Sequence, residues 1–301
     1  MLISRRLAVA AFVLLVLAIA AVLGVGQSLV RPALVAIGDA PTELAAVRVS
    51  IPSSGHPPVA GWLSRGSPAS GVVLLLHGVR SNRRQMIERA RFLRRLGYSI
   101  VMIDLPGHGE SEAEHITFGA NESSGVNAAL AWIKHEYPDD PIAVIGVSLG
   151  AASLVLARPT IVLNATVLES MYPTIDDAVA DRIRLHLGPW AEPFAALLVL
   201  QLPWRTGVSA SQLRPVDALA SSHAPVLIAA GSDDQHTTLA ETRRLFDAAN
   251  EPKQLWIIDG AGHVDLYAFA PAAYEARISS FLGSYMRQGT SVANPVSTGA
   301  Q

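Results

Sequence analysis

The chain has 301 residues, with 23 Lys and Arg against 25 Asp and Glu, a net charge of −2. That balance excludes the basic surface needed to neutralise phosphates, so no nucleic-acid partner is expected. There is no cysteine, which excludes disulfides, a thiol nucleophile and thiolate metal sites.

The first predicted element is an apolar helix. Leu7 to Val30 carries no charge over 24 positions, and about 20 apolar residues suffice to cross a bilayer. Arg5 and Arg6 precede the run and Arg31-Pro32 follow it. The two leading arginines place the N-terminus in the cytoplasm and the body outside, on the periplasmic side. Residues 1–31 therefore read as a single-pass transmembrane anchor that meets the membrane through residues 7–30. A secretory signal peptide shares the charged start, and its cleavage would leave a secreted protein. Against it, the run is long, and no clear A-x-A site sits at its end; Ala18-Ile19-Ala20 has that form but lies mid-segment.

Asp39 to Ser70 is rich in Pro, Gly and Ser, with strand-like pieces at Leu44–Val49 and Val59–Leu63 that predict an opening hairpin. Val72–Leu76 is a continuous apolar run, the pattern of a strand covered on both faces. A helix follows over Arg83–Leu96, with Met86, Ile87, Phe92, Leu93 and Leu96 apolar, and Gly97 ends it. Ser99–Ile103 is a strand, and Leu105 to Ser111 a loop. Ser123–Glu136 reads as a helix.

Ile142–Ile145 is again a strand. It runs into Gly146-Val147-Ser148-Leu149-Gly150 and then the small-residue stretch Ala151–Ala157. Strand, sharp turn and helix in that order push the Ser148 hydroxyl out above the sheet, and the two glycines leave room for the turn. Ala165–Leu168 is the next strand. Met171 to Ala220 breaks the alternation with helical pieces at Thr174–Leu187 and Phe194–Leu202, and reads as a lid over the edge that carries Ser148. Val226–Ala230 is a strand leading to Gly231-Ser232-Asp233-Asp234. Gln254–Ile258 is a strand leading to Asp259-Gly260-Ala261-Gly262-His263. A helix near Pro271–Met286 closes the body, and residues 288–301 form a small, polar tail expected to be disordered. The alternation gives an α/β class with a mainly parallel sheet. Ser148, an aspartate and His263 then each follow a strand, so all three reach one sheet edge.

Five motifs now stand in order: Leu75-Leu76-His77-Gly78, Asp104-Leu105-Pro106-Gly107-His108-Gly109-Glu110-Ser111, Gly146-Val147-Ser148-Leu149-Gly150, Gly231-Ser232-Asp233-Asp234 and Gly260-Ala261-Gly262-His263. Together, over Val72 to Met286, they resemble the α/β-hydrolase superfamily in its serine aminopeptidase and esterase-like branch. The resemblance implies an α/β-hydrolase fold over residues 40–287, with an eight-stranded sheet, helices on both faces, a lid near 171–220 and no cofactor. It also implies a Ser-His-Asp triad of Ser148, His263 and Asp234, with Asp233 and Glu169 as alternative acids. The oxyanion hole would use the amides of Val79 and Leu149. The tri-glycine form of that loop is missing, which argues against bulky acyl or tertiary-alcohol substrates.

Such a set activates a serine that is otherwise a poor nucleophile. The expected activity is hydrolysis of a carboxylic ester of a small or lipid-like molecule through an acyl-enzyme. A peptidase would use the same triad and would place a lid carboxylate, among Asp176, Asp177, Asp181 and Glu192, on a substrate amine. Thioesterase and acyltransferase chemistry stay open, and a non-catalytic relative would lack a triad member. His77, Asp104 and His108 read as shapers of loops, and His236 as an exposed loop histidine. No His, Asp and Glu spacing suggests a metal. Trp190, Leu197, Leu198, Leu200, Leu202 and Trp204 pack the lid, line an acyl pocket or touch a membrane.

Overall fold

The computed structural model describes residues 2–286; the tail expected at 288–301 lies outside the described residues. The apolar N-terminal run is helical, as α1, Leu2–Val30. It is long and apolar enough to cross a membrane, and Phe12 and Leu14, each 67 % exposed, show how little of it packs on protein.

Eight strands form one sheet: β1 (Ala46–Ser53), β2 (His56–Ser64), β3 (Val72–Leu76), β4 (Ser99–Ile103), β5 (Ile142–Val147), β6 (Ala165–Glu169), β7 (Val226–Gly231) and β8 (Lys253–Ile258). Their spatial order is β1-β2-β4-β3-β5-β6-β7-β8. The β1–β2 and β2–β4 pairs are antiparallel and every other pair is parallel. β3 shows why its sequence is apolar throughout. Val72, Leu74 and Leu76 enter one core, while Val73 and Leu75 enter the other, because successive side chains leave opposite faces of a strand.

Helices cover both faces. α3 (Ala120–Glu136), α4 (Leu149–Ala157) and α9 (Leu239–Ala248) feed the first core through Val126, Leu130, Leu154 and Leu245. α2 (Ile87–Arg95) and α11 (Pro271–Tyr285) feed the second through Phe92, Leu93, Ile278 and Phe281. Between β6 and β7 the chain inserts α5 (Ile175–Leu187), α6 (Glu192–Val199), α7 (Leu202–Thr206) and α8 (Pro215–Leu219); α10 (Leu266–Phe269) precedes α11.

Several elements differ from expectation, most by a few residues at an end and some for a clear local reason. The first strand starts at Ala46 because Ala45 turns through φ +46° after a short 3₁₀ segment, and pairing with β2 extends it to Ser53. The helix expected at 83–96 opens as a 3₁₀ turn over Arg83–Met86, where Asn82 caps Arg84 N–H and the Arg83 amide donates to Asp104. The helix expected at 194–202 is two helices. Pro203 has no amide to offer Val199 and its ring crowds that carbonyl, so α6 ends there. α9, a 10-residue helix between β7 and β8, was not predicted.

Three residues after the end of α1, Ala33–Leu34 pair in parallel with His108–Gly109. The Val30 carbonyl accepts from the Ile116 amide at 2.8 Å.

Candidate active site

Parallel pairing from β3 through β8 sends the C-terminal strand ends to one edge. Ser148 follows β5, Ser170 follows β6, Asp234 follows β7 by three residues, and His263 follows β8 by five.

Ser148 stands between β5 and α4 at φ 49° and ψ −109°, a conformation that a non-glycine residue holds only when its surroundings enforce it. The enforcement is visible. A Cβ on Gly146 would lie 2.6 Å from the Ala151 amide nitrogen, and one on Gly150 would lie 2.6 Å from the Leu76 carbonyl. Only glycine lets strand and helix approach this closely. The Ser148 amide donates to the Glu169 carbonyl on the neighbouring strand at 2.8 Å. The serine is 5 % exposed.

His263 and Asp234 meet. His263 Nδ1 lies 2.8 Å from Asp234 Oδ2. The carboxylate only accepts, so Nδ1 carries the proton; in the neutral ring the lone pair is then on Nε2. The other oxygen, Oδ1, accepts the amides of His236 at 2.8 Å and Thr237 at 2.9 Å. Burial pushes the Asp234 carboxyl up. The hydrogen bond and charge of His263, with those two amides, outweigh it, and the group stays below its ordinary range. Asp233 is exposed and accepts from its neighbour Ser232. Of the two adjacent aspartates, the structure brings Asp234 to the imidazole.

Glu169 is held elsewhere. Arg89 reaches it through Nη2 at 2.6 Å and Nε at 3.2 Å, and Tyr274 donates its hydroxyl to it. The same guanidinium donates to Asp265, two residues beyond His263, at 3.0 Å. Asp265 in turn caps α10 through the amides of Tyr267 and Ala268. Sequence reasoning missed Arg89. The signal was its spacing: it falls three residues after Met86 and four before Leu93, inside the buried stripe of α2.

On the other side of Ser148 runs the loop after β3. A Cβ on Gly78 would lie 3.8 Å from the Ser148 Cβ, so the His77-Gly78-Val79 turn passes beside the serine. His77 is fully buried; its Nε2 accepts from the Leu105 amide at 3.0 Å, so Nδ1 carries the proton and donates to the Gly78 carbonyl at 2.7 Å. Burial and the neighbouring His108 hold its pKa down to about 3, so the ring stays neutral. Gln85 accepts from the Gly78 amide at 2.8 Å. Leu149 is the first residue of α4, and its amide has no acceptor within the helix. Asp104 is paired with buried Arg83 and accepts the Arg83 and Glu110 amides, a loop-building role.

His236 differs from the exposed residue expected. It is half-buried, its ring lies 4.9 Å from that of His263, and its Nδ1 is buried without a partner. Burial, then the charge of His263, lowers its pKa. Among the described residues no cluster of three or more His, Asp or Glu could hold a metal ion.

A model of the alpha/beta hydrolase family matches residues 73–277. An uncharacterised protein of Mycobacterium tuberculosis, Rv2307c, is 32 % identical over 212 residues, 68 % of each chain. An uncharacterised protein of Bacillus subtilis, YqkD, is 22 % identical over 236 residues, 77 % of each chain. Among solved structures, a Pyrococcus furiosus esterase superposes with a TM-score of 0.70 at 23 % identity, covering 86 % of this chain and 98 % of its own. A Thermogutta terrifontis esterase gives 0.58 at 18 % identity, covering 80 % and 100 %.

Proposed function

Because the chain belongs to the alpha/beta hydrolase family, we propose that it is a serine hydrolase cleaving carboxylic esters with Ser148, His263 and Asp234. The observation that carries this reading is the 2.8 Å bond from His263 to a buried aspartate on the sheet edge where Ser148 occupies its strained turn. Asp234 fixes the imidazole with Nε2 unprotonated. Nε2 takes the Ser148 proton as Oγ bonds to the ester carbonyl carbon. The carbonyl oxygen becomes an oxyanion, held by the amides of Leu149 and Val79. Collapse breaks the bond to the alcohol, which leaves with the proton from Nε2. Water then attacks the acyl-enzyme by the same route and frees the acid and Ser148. Removing one oxyanion donor typically costs on the order of 10²–10³ in kcat.

The esterase fold neighbours support an ester over an amide. Three of the lid carboxylates point the same way. Asp177 is bound to Thr174 and Arg244, and Asp181 and Glu192 to Arg184; Asp176, the fourth, is exposed. The layout we favour is an anchor at 1–31, a catalytic domain at 40–287 and a lid near 171–220. The domain then lies outside the cytoplasm, the orientation that Arg5 and Arg6 favour.

A fluorophosphonate probe tests the nucleophile, because an activated serine attacks phosphorus as it attacks a carbonyl. Labelling should map to Ser148 and vanish in Ser148→Ala. Labelling that survives the substitution refutes the assignment. An alkaline carbonate wash of membranes should leave the full chain in the pellet; release into the supernatant refutes the anchor.

A further inference from the structure

The insertion between β6 and β7 carries a feature that the chemistry at Ser148 does not use. Trp190, Leu197, Leu200 and Trp204 are 72, 46, 71 and 62 % exposed, whereas Leu198 and Leu202 of the same segment are buried. Side chains lining an acyl pocket would turn inward with Leu198. These four turn outward, and single exposed apolar residues are common but four within the stretch 190–204, two of them tryptophan, are not.

The same segment grips α1. Gln201 occupies the space beside Gly26, where a Cβ would lie 2.3 Å from its Oε1, and it donates Nε2 to the Val22 carbonyl at 3.3 Å. Arg205 donates to the Leu23 carbonyl at 2.7 Å and to the Gln27 side chain. Val30 joins Leu202, Val208, Leu213 and Ile175 in a small core of its own. The exposed apolar residues of the insertion therefore adjoin an exposed apolar helix at a fixed height along it.

That height is informative. With Arg6 at one boundary, about 20 residues at 1.5 Å each cover a hydrocarbon core of about 30 Å. The opposite boundary then falls close to Gly26, level with Gln201 and Arg205. Trp204 is there, with the Arg205 guanidinium 4.4 Å from its ring centre. Tryptophan and arginine side by side suit the headgroup layer, where an apolar body and a polar end are both satisfied.

We propose that the outer face of residues 189–206, the turn before α6 together with α6 and α7, is a membrane-docking surface, seated in the headgroup layer of the leaflet on the catalytic side, with Trp190, Leu197, Leu200 and Trp204 entering the lipid. The proposal rests on the reading of α1 as an anchor and not on the chemistry at Ser148. Lipid is the occupant because the face continues an apolar helix of bilayer length; a second copy of the chain would have to cover the face beside that helix while the helix is in lipid.

The test uses the full chain reconstituted in phosphatidylcholine–phosphatidylglycerol vesicles, some carrying acyl chains brominated near the carbonyl end. Bromine quenches tryptophan on contact. Trp190 and Trp204 are two of five tryptophans, so the wild type should lose emission up to their share. The double variant Trp190→Phe, Trp204→Phe should keep its emission in full. Equal quenching in both, with the chain still resisting a carbonate wash, overturns the docking and leaves the anchor standing. Absence of quenching with a detergent-corrected mass of two chains also overturns it, and assigns the face to a second copy. Release by carbonate overturns both readings.

Discussion

Replacing Asp234 by Asn separates the chemistry of the aspartate from its structural role. Oδ1 accepts two backbone amides, and Oδ2 accepts His263 Nδ1. An asparagine keeps the first pair, with its carbonyl oxygen in place of Oδ1. The amide nitrogen then faces Nδ1 and can only donate. Nδ1 must give up its proton to become an acceptor, so the proton moves to Nε2, and the imidazole can no longer take one from Ser148. The same tautomer reversal in another serine hydrolase lowers kcat by about 10⁴. At 1.36 kcal/mol per decade that is about 5 kcal/mol of transition-state stabilisation. Stability should change far less, by about 1 kcal/mol, because the loop-forming amides keep an acceptor. The assay is hydrolysis of a short p-nitrophenyl ester with active sites counted by a fluorophosphonate, alongside thermal unfolding. Asp233→Asn is the internal control and should keep near-normal kcat. An Asp234→Asn kcat within about tenfold of wild type, or an equal loss in Asp233→Asn, refutes the tautomer argument.

Glu241 offers a pH test. Burial, with Asp181 and Asp177 nearby, pushes its carboxyl up from 4.5 to about 7, against the Thr238 amide that favours its charge. A carboxyl raised in the folded state loses its proton more readily when unfolded, so stability should fall as pH rises from about 4.5 through 7. Glu241→Gln should remove that fall. Solvent screening of a half-exposed group limits the gain to roughly 1 kcal/mol, about 2–4 °C in Tm at pH 8, with none at pH 5; an equal gain at both pH values refutes the pairing. Arg89→Met leaves the Glu169 carboxylate buried without its cation and should cost about 3–5 kcal/mol in urea unfolding. Adding Glu169→Leu should recover part of that loss; a single-variant loss under about 1 kcal/mol refutes the burial argument.

The sheet and the placement of the site were legible because both rest on local signals. Apolar runs such as Val72–Leu76 and Ile142–Ile145 mark strands covered on two faces, and glycines mark the turn at Ser148. The choice of Asp234 over Asp233 came from the resemblance and could not be read from residue type. It depends on which side of the turn after β7 faces β8, a matter of twist and register rather than residue type. His236 was misjudged because a histidine in a polar loop looks exposed until the loop folds against His263. Arg89 was hidden by its charge. A buried guanidinium with oxygen partners on three residues, from β6, α11 and the loop before α10, requires long-range contacts that no short stretch encodes. The unforeseen break between α6 and α7 is the opposite case, since Pro203 stood in plain view.

The junction between α1 and the body has a practical corollary. Val30 is 1 % exposed and belongs to the small core of the insertion. Its carbonyl is tied to Ile116, and Ala33 and Val35 donate to Gly107 and Gly109. There is thus no slack tether between helix and body; the joint is a strut without a swivel. A soluble fragment cut after residue 31 would strip Leu202 and Leu213 of a packing partner and leave Gln201 and Arg205 without their grip. Any expression strategy that trims the helix for convenience would therefore also alter the insertion, and turnover compared between trimmed and intact chains would report that change together with the loss of the helix.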